Sequence, residues 1–357
     1  MRIACLNQDR GISPARKKGA AVHLAAMRAA FRDLGAEVLE IDDSDAARTS
    51  ERLEELHRGQ ALDLVYERYA LGCAAGATFS RRHGVPLVLE VNAPLAEEDR
   101  RYRDGTAAPD LAAAEALVLG SAARIIAVSS LVAEYAIERG APPGVVQVHP
   151  NGVDVTRFRP RRAGDPLRER LVPPGRFAVG FHGRLRPWHG IELLAGALAL
   201  LLAREVPVHV VFVGEGGIRA ALGEKVPADR LTAVDWVPHE DVGQYVAAFD
   251  ALPLTYSRGA PCYFSPLKLA ESMACGVVPV FPPLGDLPRL LRDGVNAVAY
   301  PPDDAPALAA ALQGLVADPA RRAGLAVEAV RTAHALGWDR IAAAVLECAG
   351  RRRGSER

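Results

Sequence analysis

The sequence has no net charge: 43 lysines and arginines balance 43 aspartates and glutamates. There is therefore no electrostatic case for a nucleic-acid binder, and the tail Arg351-Arg352-Arg353 reads as a local surface feature or a frayed end. Cysteines are few. Cys5, Cys73, Cys262, Cys275 and Cys348 are odd in number, scattered and without a C-x-x-C pair, which speaks against a disulfide framework or a zinc knuckle and fits a reducing cytosol. No apolar run approaches the roughly 18 to 20 residues that a bilayer span requires. Met1 to Leu6 lead within a few residues to Asn, Gln, Asp and Arg, which is not the pattern of a signal peptide. The expectation is a cytoplasmic protein, with peripheral membrane contact left open. Fixed-period repeats and low-complexity segments are also missing.

What is there is core. Half of the 357 residues are hydrophobic, enough for two domains of about 150 to 180 residues. Strand, loop and helix recur through the first half, with strands expected at 2–6, 37–41, 62–66, 86–91, 125–128 and 145–149. Helices are expected at 20–34 and near 48–57, 70–83, 110–120 and 130–139. Around Asn151-Gly152-Val153-Asp154 the pattern yields to Arg159-Pro160-Arg161-Arg162-Ala163-Gly164-Asp165-Pro166, a domain linker. A second series follows, with strands at 177–182, 208–213, 232–236, 251–254, 277–281 and 297–300. Helices there fall near 190–203, 239–248, 266–275 and 305–316. Such alternation means parallel sheets with helices on both faces, and ligands of such folds bind at the carboxyl ends of the strands.

The stretch Pro261 to Val280 carries the most chemistry. Ser265 suits an N-cap and Pro266 a first helical position, while Gly276 supplies the left-handed residue that stops the helix before a buried strand. The exposed N–H groups of such a helix start seat a phosphate. Lys268 stands in the first turn where a capping box would place Glu, so an anion in front of the helix is favoured. Glu271 shares its face and suits the two hydroxyls of a ribose; the alternative is a capped helix with a solvated Glu.

Other motifs sit at strand ends. Arg184, after the strand 177–182, and His189, before a helix, can reach an anion, and the planar guanidinium binds phosphate oxygens in pairs. Val213-Gly214-Glu215-Gly216-Gly217 is half of a dinucleotide fingerprint, with Asp235 downstream, but its third glycine is missing, so a tight turn is the better reading than a nicotinamide site. Lys18-Gly19-Ala20-Ala21-Val22-His23 opens a helix with small residues that let a ligand approach the backbone. Glu67-Arg68-Tyr69 and Glu90-Val91-Asn92 close buried strands with polar groups, which either pair with one another, Glu67 with Arg68 for instance, or face a polar ligand.

Taken together, Pro150-Asn151-Gly152-Val153-Asp154 with Phe158-Arg159-Pro160, Gly183-Arg184-Leu185 with His189-Gly190, Val213-Gly214-Glu215-Gly216, and Leu269 to Gly276 with Pro279-Val280 resemble the retaining GT-B glycosyltransferases of the sucrose-synthase and mannosyltransferase type, the family 4-like enzymes. The resemblance runs over nearly the whole chain. It implies an α/β GT-B architecture, two Rossmann-like doubly wound domains facing a central cleft. An acceptor-binding domain would span 1–158, a nucleotide-sugar-binding domain 175–334, and a helix at 335–350 would cross back to the first. It further implies retaining transfer from a nucleoside-diphosphate sugar, UDP by default, to an acceptor hydroxyl, with no metal and no other cofactor. Arg184, His189 and Lys268 would carry catalysis by stabilising the leaving diphosphate. Donor contacts would come from Gly19, Ala20, Gly214, Trp236, Val237, Ser265, Pro266, Leu267 and Glu271, and acceptor contacts from Glu67, Arg68, Glu90 and Asn92.

Three positions depart from the family. His189 stands where Lys is common, which would make phosphate binding pH-dependent. Tyr263 replaces a Glu usual eight residues before Glu271, and Asn92 replaces a His at the end of the fourth strand. The rival expectations are a nucleotide-sugar epimerase or hydrolase on the same fold, and a non-catalytic nucleotide-sugar-binding protein.

Overall fold

The computed structural model describes residues 1–9, 11–12, 19–102, 109–259, 262–263 and 265–355. Lys18, Pro261 and Phe264 of the motifs above lie outside them. The described chain divides into two compact units, residues 1–152 with 263–265 and 338–357, and residues 153–262 with 266–337. The first break falls at Gly152/Val153, earlier than the expected 158. The supposed linker belongs to the second unit and contains a helix, Pro166–Leu171, capped by the Asp165 side chain.

The first unit holds strands β1 (Arg2–Asn7), β2 (Glu37–Ile41), β3 (Leu64–Arg68), β4 (Leu87–Val91), β5 (Arg124–Ala127) and β6 (Val146–Val148), ordered β2-β1-β3-β4-β5-β6. All their pairings are parallel. Continuous apolar runs such as Leu87-Val88-Leu89 are what strands buried on both faces require. Leu6, Leu53, Leu87, Leu89 and Ile125 form the core of this unit. Strand order reverses between β1 and β3, so Asn7, Gln8, Glu67 and Arg68 come together at the carboxyl edge of the switch point. The closing helix Trp338–Ser355 belongs to this unit, where the Trp338 ring lies 4.7 Å from that of His23. It extends through Arg351–Arg353.

The second unit holds β7 (Phe177–His182), β8 (Val208–Val213), β9 (Leu231–Val234), β10 (Ala251–Pro253), β11 (Val278–Phe281) and β12 (Val298–Ala299), ordered β12-β11-β10-β7-β8-β9 and again parallel. Its switch point lies between β7 and β10. The helix Leu267–Ala274 is the crossover from β10 to β11. Val179, Phe212, Leu198, Leu201, Leu308 and Leu312 are among its core. The helices Leu95–Tyr102 and Pro319–His334 are among those that escape a periodicity reading. The second buries only Leu325, Ala329 and Ala333, a stripe too small to stand out in an alanine-rich region.

Gly180 sets the depth of this core. A Cβ there would lie 2.0 Å from the Phe249 ring, so the ring packs directly on the β7 backbone. Gly180→Ala is expected to lower stability in urea denaturation by about 2 kcal/mol, the usual cost of overpacking. A loss below about 0.5 kcal/mol would show that the ring moves aside freely.

Candidate functional site

In the second unit the polar residues gather where β7 ends beside β10. The helix Leu267–Ala274 starts after Pro266 and not at Ser265: Pro266 is the cap residue and makes no side-chain capping bond. Ser265 is otherwise engaged, its Oγ accepting the Asn151 N–H at 2.8 Å and its carbonyl accepting Asn151 Nδ2 at 2.5 Å. This corrects the expected N-cap, because an asparagine distant in sequence outcompetes the helix for the hydroxyl. The other end is as expected. Gly276 has φ of +75°, the Gly276 N–H donates to Met273 O, and the Val277 N–H donates to Ser272 O.

Lys268 and Glu271 share a face of this helix, and each meets a histidine. Lys268 Nζ lies 3.0 Å from His189 Nε2 and 3.9 Å above the Phe181 ring. His189 Nδ1 accepts the Arg186 backbone N–H at 3.0 Å. A ring nitrogen that accepts a backbone donor leaves the proton on the other, so Nε2–H points at Lys268, and only a neutral amine can receive it. The electrostatics agree. Burial, then Lys268 and Arg186, push the His189 pKa down to about 3, and burial pulls Lys268 down to about 7 against the attraction of Glu271. The pH dependence expected from His189 therefore sits on Lys268, since His189 is neutral across the physiological range. Gly190, at φ +57°, allows this loop to close: a Cβ there would lie 2.0 Å from Thr255 O, and Thr255 Oγ1 donates to His189 O.

Glu271 is buried, with a carboxylate flanked by two imidazoles. His182 Nε2 reaches Oε2 at 2.8 Å and His239 Nε2 reaches Oε1 at 3.1 Å. Burial alone would raise its pKa, but these bonds outweigh it and hold the group at about 2. Arg184 is about half exposed and pairs with Glu215, at 3.1 Å from Nε. The glycines of 213–217 make a packing turn: a Cβ on Gly214 would lie 2.3 Å from Gly183 O, and one on Gly216 would strike Leu185. Trp236 is 41% exposed and Val237 half-buried, just before the helix His239–Val246.

In the first unit Glu90 is buried among donors. Arg68 NH1 lies 2.6 Å from Oε1 and His23 Nε2 lies 2.7 Å from Oε2, while Tyr66 OH and Asn92 Nδ2 also donate to it. These partners overcome burial and hold the carboxyl well below its usual range. Glu67 does not pair with Arg68, because neighbouring strand residues point to opposite faces. Its Oε1 accepts Gln8 Nε2 at 2.7 Å, its buried Oε2 has no partner, and burial raises its pKa to about 7. Gly19 opens the helix Gly19–Asp33 with Ala20 behind it, and His23 of that helix also places Nδ1 2.7 Å from Asn151 Oδ1. Tyr263 OH donates to Glu98.

Sequence reasoning missed His182, His239, Gln8, Tyr66 and the bonding roles of His23 and Asn151. His182 carried a usable signal, a polar residue closing an apolar buried strand, the same sign that singled out Glu67 and Glu90. His239 carried none. Among the described residues no group of three or more His, Cys, Asp and Glu is placed to hold a metal ion, and no helix is long and apolar enough to cross a membrane.

Known proteins bear on this arrangement. Residues 176–318 match the family model described as glycosyl transferases group 1, and residues 1–152 match the glycosyl transferase 4-like domain. The chain is 33% identical over 324 residues to the D-inositol 3-phosphate glycosyltransferase of Thermomonospora curvata, covering 83% of this chain and 73% of that one. It is 31% identical over 305 residues to the corresponding enzyme 1 of Catenulispora acidiphila, with 78% and 69% covered. Among solved structures, HepE of Anabaena, determined with UDP and glucose, superposes with a TM-score of 0.73 at 22% identity over 97% of this chain and 98% of that one. Sucrose-phosphate synthase of Thermosynechococcus elongatus gives 0.74 at 18% identity over 99% of each. At such identities the two structures speak for the fold, that of the GT-B glycosyltransferases.

Glu67 gives a test of the edge geometry. Its folded pKa near 7 exceeds the ordinary 4.5, so the folded state keeps a proton that the unfolded chain has released. Stability therefore falls as pH rises from about 4.5 to 7, by on the order of 2 kcal/mol. Glu67→Gln is expected to remove that decline in denaturation curves taken from pH 4.5 to 8. Parallel curves for variant and wild type would refute the assignment.

Proposed function

The chain belongs to the group 1, family 4-like glycosyltransferases, and from that premise we propose that it moves a sugar from a nucleoside-diphosphate sugar, a UDP-sugar foremost, to an acceptor hydroxyl with retention of configuration and without a metal. The observation that carries the reading is the helix Leu267–Ala274, which brings a lysine and a buried carboxylate to one face at the switch point of the second sheet. A diphosphate needs positive charge and N–H donors, and a ribose needs an acceptor pair. Lys268, the His189 Nε2–H and the N–H groups of Leu267 and Lys268 supply the first; Glu271 supplies the second.

Each remaining donor group has a role in this reading. Arg184 leaves Glu215 for a phosphate oxygen, Trp236 and Val237 flank the base, and Gly214, Gly19 and Ala20 leave room for close approach of the ligand to backbone. Pro266 sets where the helix starts. Acceptor recognition falls to the carboxyl edge of β3 and β4, where Glu67, Arg68, Glu90 and Asn92 stand. The bond from the anomeric carbon to the diphosphate oxygen breaks while the bond to the acceptor oxygen forms on the same face. The acceptor's proton passes to a diphosphate oxygen. Charge that develops on the leaving group is met by Lys268, His189 and Arg184, a contribution usually worth several kcal/mol of barrier.

The direct test is product analysis by NMR with UDP-sugars and a panel of hydroxyl acceptors that begins with inositol 3-phosphate, the acceptor in the relatives' name. Retained anomeric configuration, with nucleotide affinity lowered about 10- to 100-fold in Glu271→Ala, is expected. An inverted product, or a sugar trapped covalently on Glu67 or Glu90, would overturn the mechanism. Free monosaccharide as the main product would favour hydrolysis. A second test follows from Lys268, whose pKa near 7 an arriving diphosphate must raise. At pH 8, UDP binding is expected to take up a fraction of a proton, seen by calorimetry in buffers of different ionisation enthalpy, and Lys268→Met is expected to abolish the uptake. Buffer-independent heats in the wild type would remove Lys268 from the phosphate seat.

A further inference from the structure

We propose that His182 and His239 set ribose recognition at Glu271, His182 as a fixed positioning residue and His239 as an exchangeable one that yields its place on the carboxylate to a ribose hydroxyl. The inference rests on the reading of Glu271 as the acceptor of a diol. A carboxylate buried without donors is strongly disfavoured, so the protein itself has to satisfy Glu271. Two imidazole N–H groups do so, one on each oxygen, and they differ in how firmly they are held.

His182 closes β7 and its side chain is 5% exposed. Its Nδ1 is enclosed without a partner, so the ring's proton belongs on Nε2, where it serves Glu271 Oε2 at 2.8 Å. The ring cannot turn away without burying both an unpaired carboxylate oxygen and its own N–H, and thus it fixes the direction of the carboxylate. His239 is the first residue of its helix, 34% exposed at the side chain, and its bond to Oε1 is longer at 3.1 Å. Its ring packs on Phe158 at 5.6 Å between centroids and keeps one edge toward solvent. Rotation into water costs His239 little, because water replaces the bond it gives up. Oε1 is therefore the oxygen that a ligand can claim, and Oε2 the one that keeps it aimed.

The test compares binding of UDP and 2′-deoxy-UDP by calorimetry. The wild type is expected to favour the ribonucleotide by about 10-fold or more, the scale of a hydrogen bond to a charged group. His182→Leu is expected to reduce that preference to within about 2-fold, while His182→Gln, whose amide N–H reaches the place of Nε2, retains it. His239→Ala is expected to tighten UDP several-fold and leave the deoxynucleotide unchanged. A folded His182→Leu that keeps full discrimination, or a His239→Ala that weakens both ligands equally, would overturn the proposal. If His182→Leu does not fold, the His239→Ala pair of affinities decides alone. Binding by the wild type with no ribose preference, or no binding at all, would instead overturn the Glu271 reading on which the proposal stands.

Discussion

A carboxylate at the carboxyl edge of a parallel sheet has to be met by donors, and the polar architecture of both units follows from that requirement. Strands covered on both faces are apolar along their length, so polar chemistry is pushed to their ends, where side chains are still buried but no longer within the hydrogen-bonded ladder. Glu90 and Glu271 meet the requirement in different ways. Glu90 takes Arg68, Tyr66, Asn92 and His23, four partners drawn from one strand, a loop and a helix, and it knits the edge of the first sheet together. Glu271 takes two histidines, one of them partly exposed. A carboxylate held by four partners stiffens its surroundings. One held by two, with an exposed member, keeps capacity for a ligand. Glu67, with one oxygen unpartnered, answers the same constraint by holding a proton.

Positive charge in the second unit is arranged by the same logic in reverse. Lys268 lies against the Phe181 ring and a histidine whose tautomer is fixed by the Arg186 N–H. Burial, against the attraction of Glu271, lowers the pKa of its ammonium. Lys268 thus stands near the midpoint of its titration at neutral pH. Gly190 makes this possible, since any side chain at that position would drive the His189 loop off Thr255.

Much of the fold is legible in the sequence because buried strands announce themselves: the intervals 37–41, 177–182 and 208–213 are those of β2, β7 and β8. Short strands such as β6 and β12 shrink at both ends because their neighbours and not their own residues decide the ladder. Helices fail to register where the apolar stripe is made of alanine, as in Pro319–His334, or where charge dominates, as in Pro166–Leu171 and Leu95–Tyr102. At the site, spacing alone brings Lys268 and Glu271 to one face. It cannot reveal that Asn151 claims Ser265 or that His239 reaches Glu271, since both contacts join residues far apart in sequence whose meeting depends on how the sheet is wound.

The departures from the family pattern are settled into their surroundings. His189 is bonded on both nitrogens, Asn92 donates to Glu90, and Tyr263 donates through its hydroxyl to Glu98 while its carbonyl accepts from Ser129. A site that has lost its purpose sheds partners and leaves buried polar groups orphaned, because nothing selects against the occasional unpaired atom once the ligand is gone. Here the substituted residues are satisfied, and the buried side-chain atoms without a partner among the described residues, Glu67 Oε2 and His182 Nδ1 among them, belong to other positions. The substituted positions are thus built into the polar networks around them. With His189 neutral across the physiological range, titration there is left to Lys268, and tyrosine in place of glutamate removes a carboxylate from the stretch that leads into the helix Leu267–Ala274.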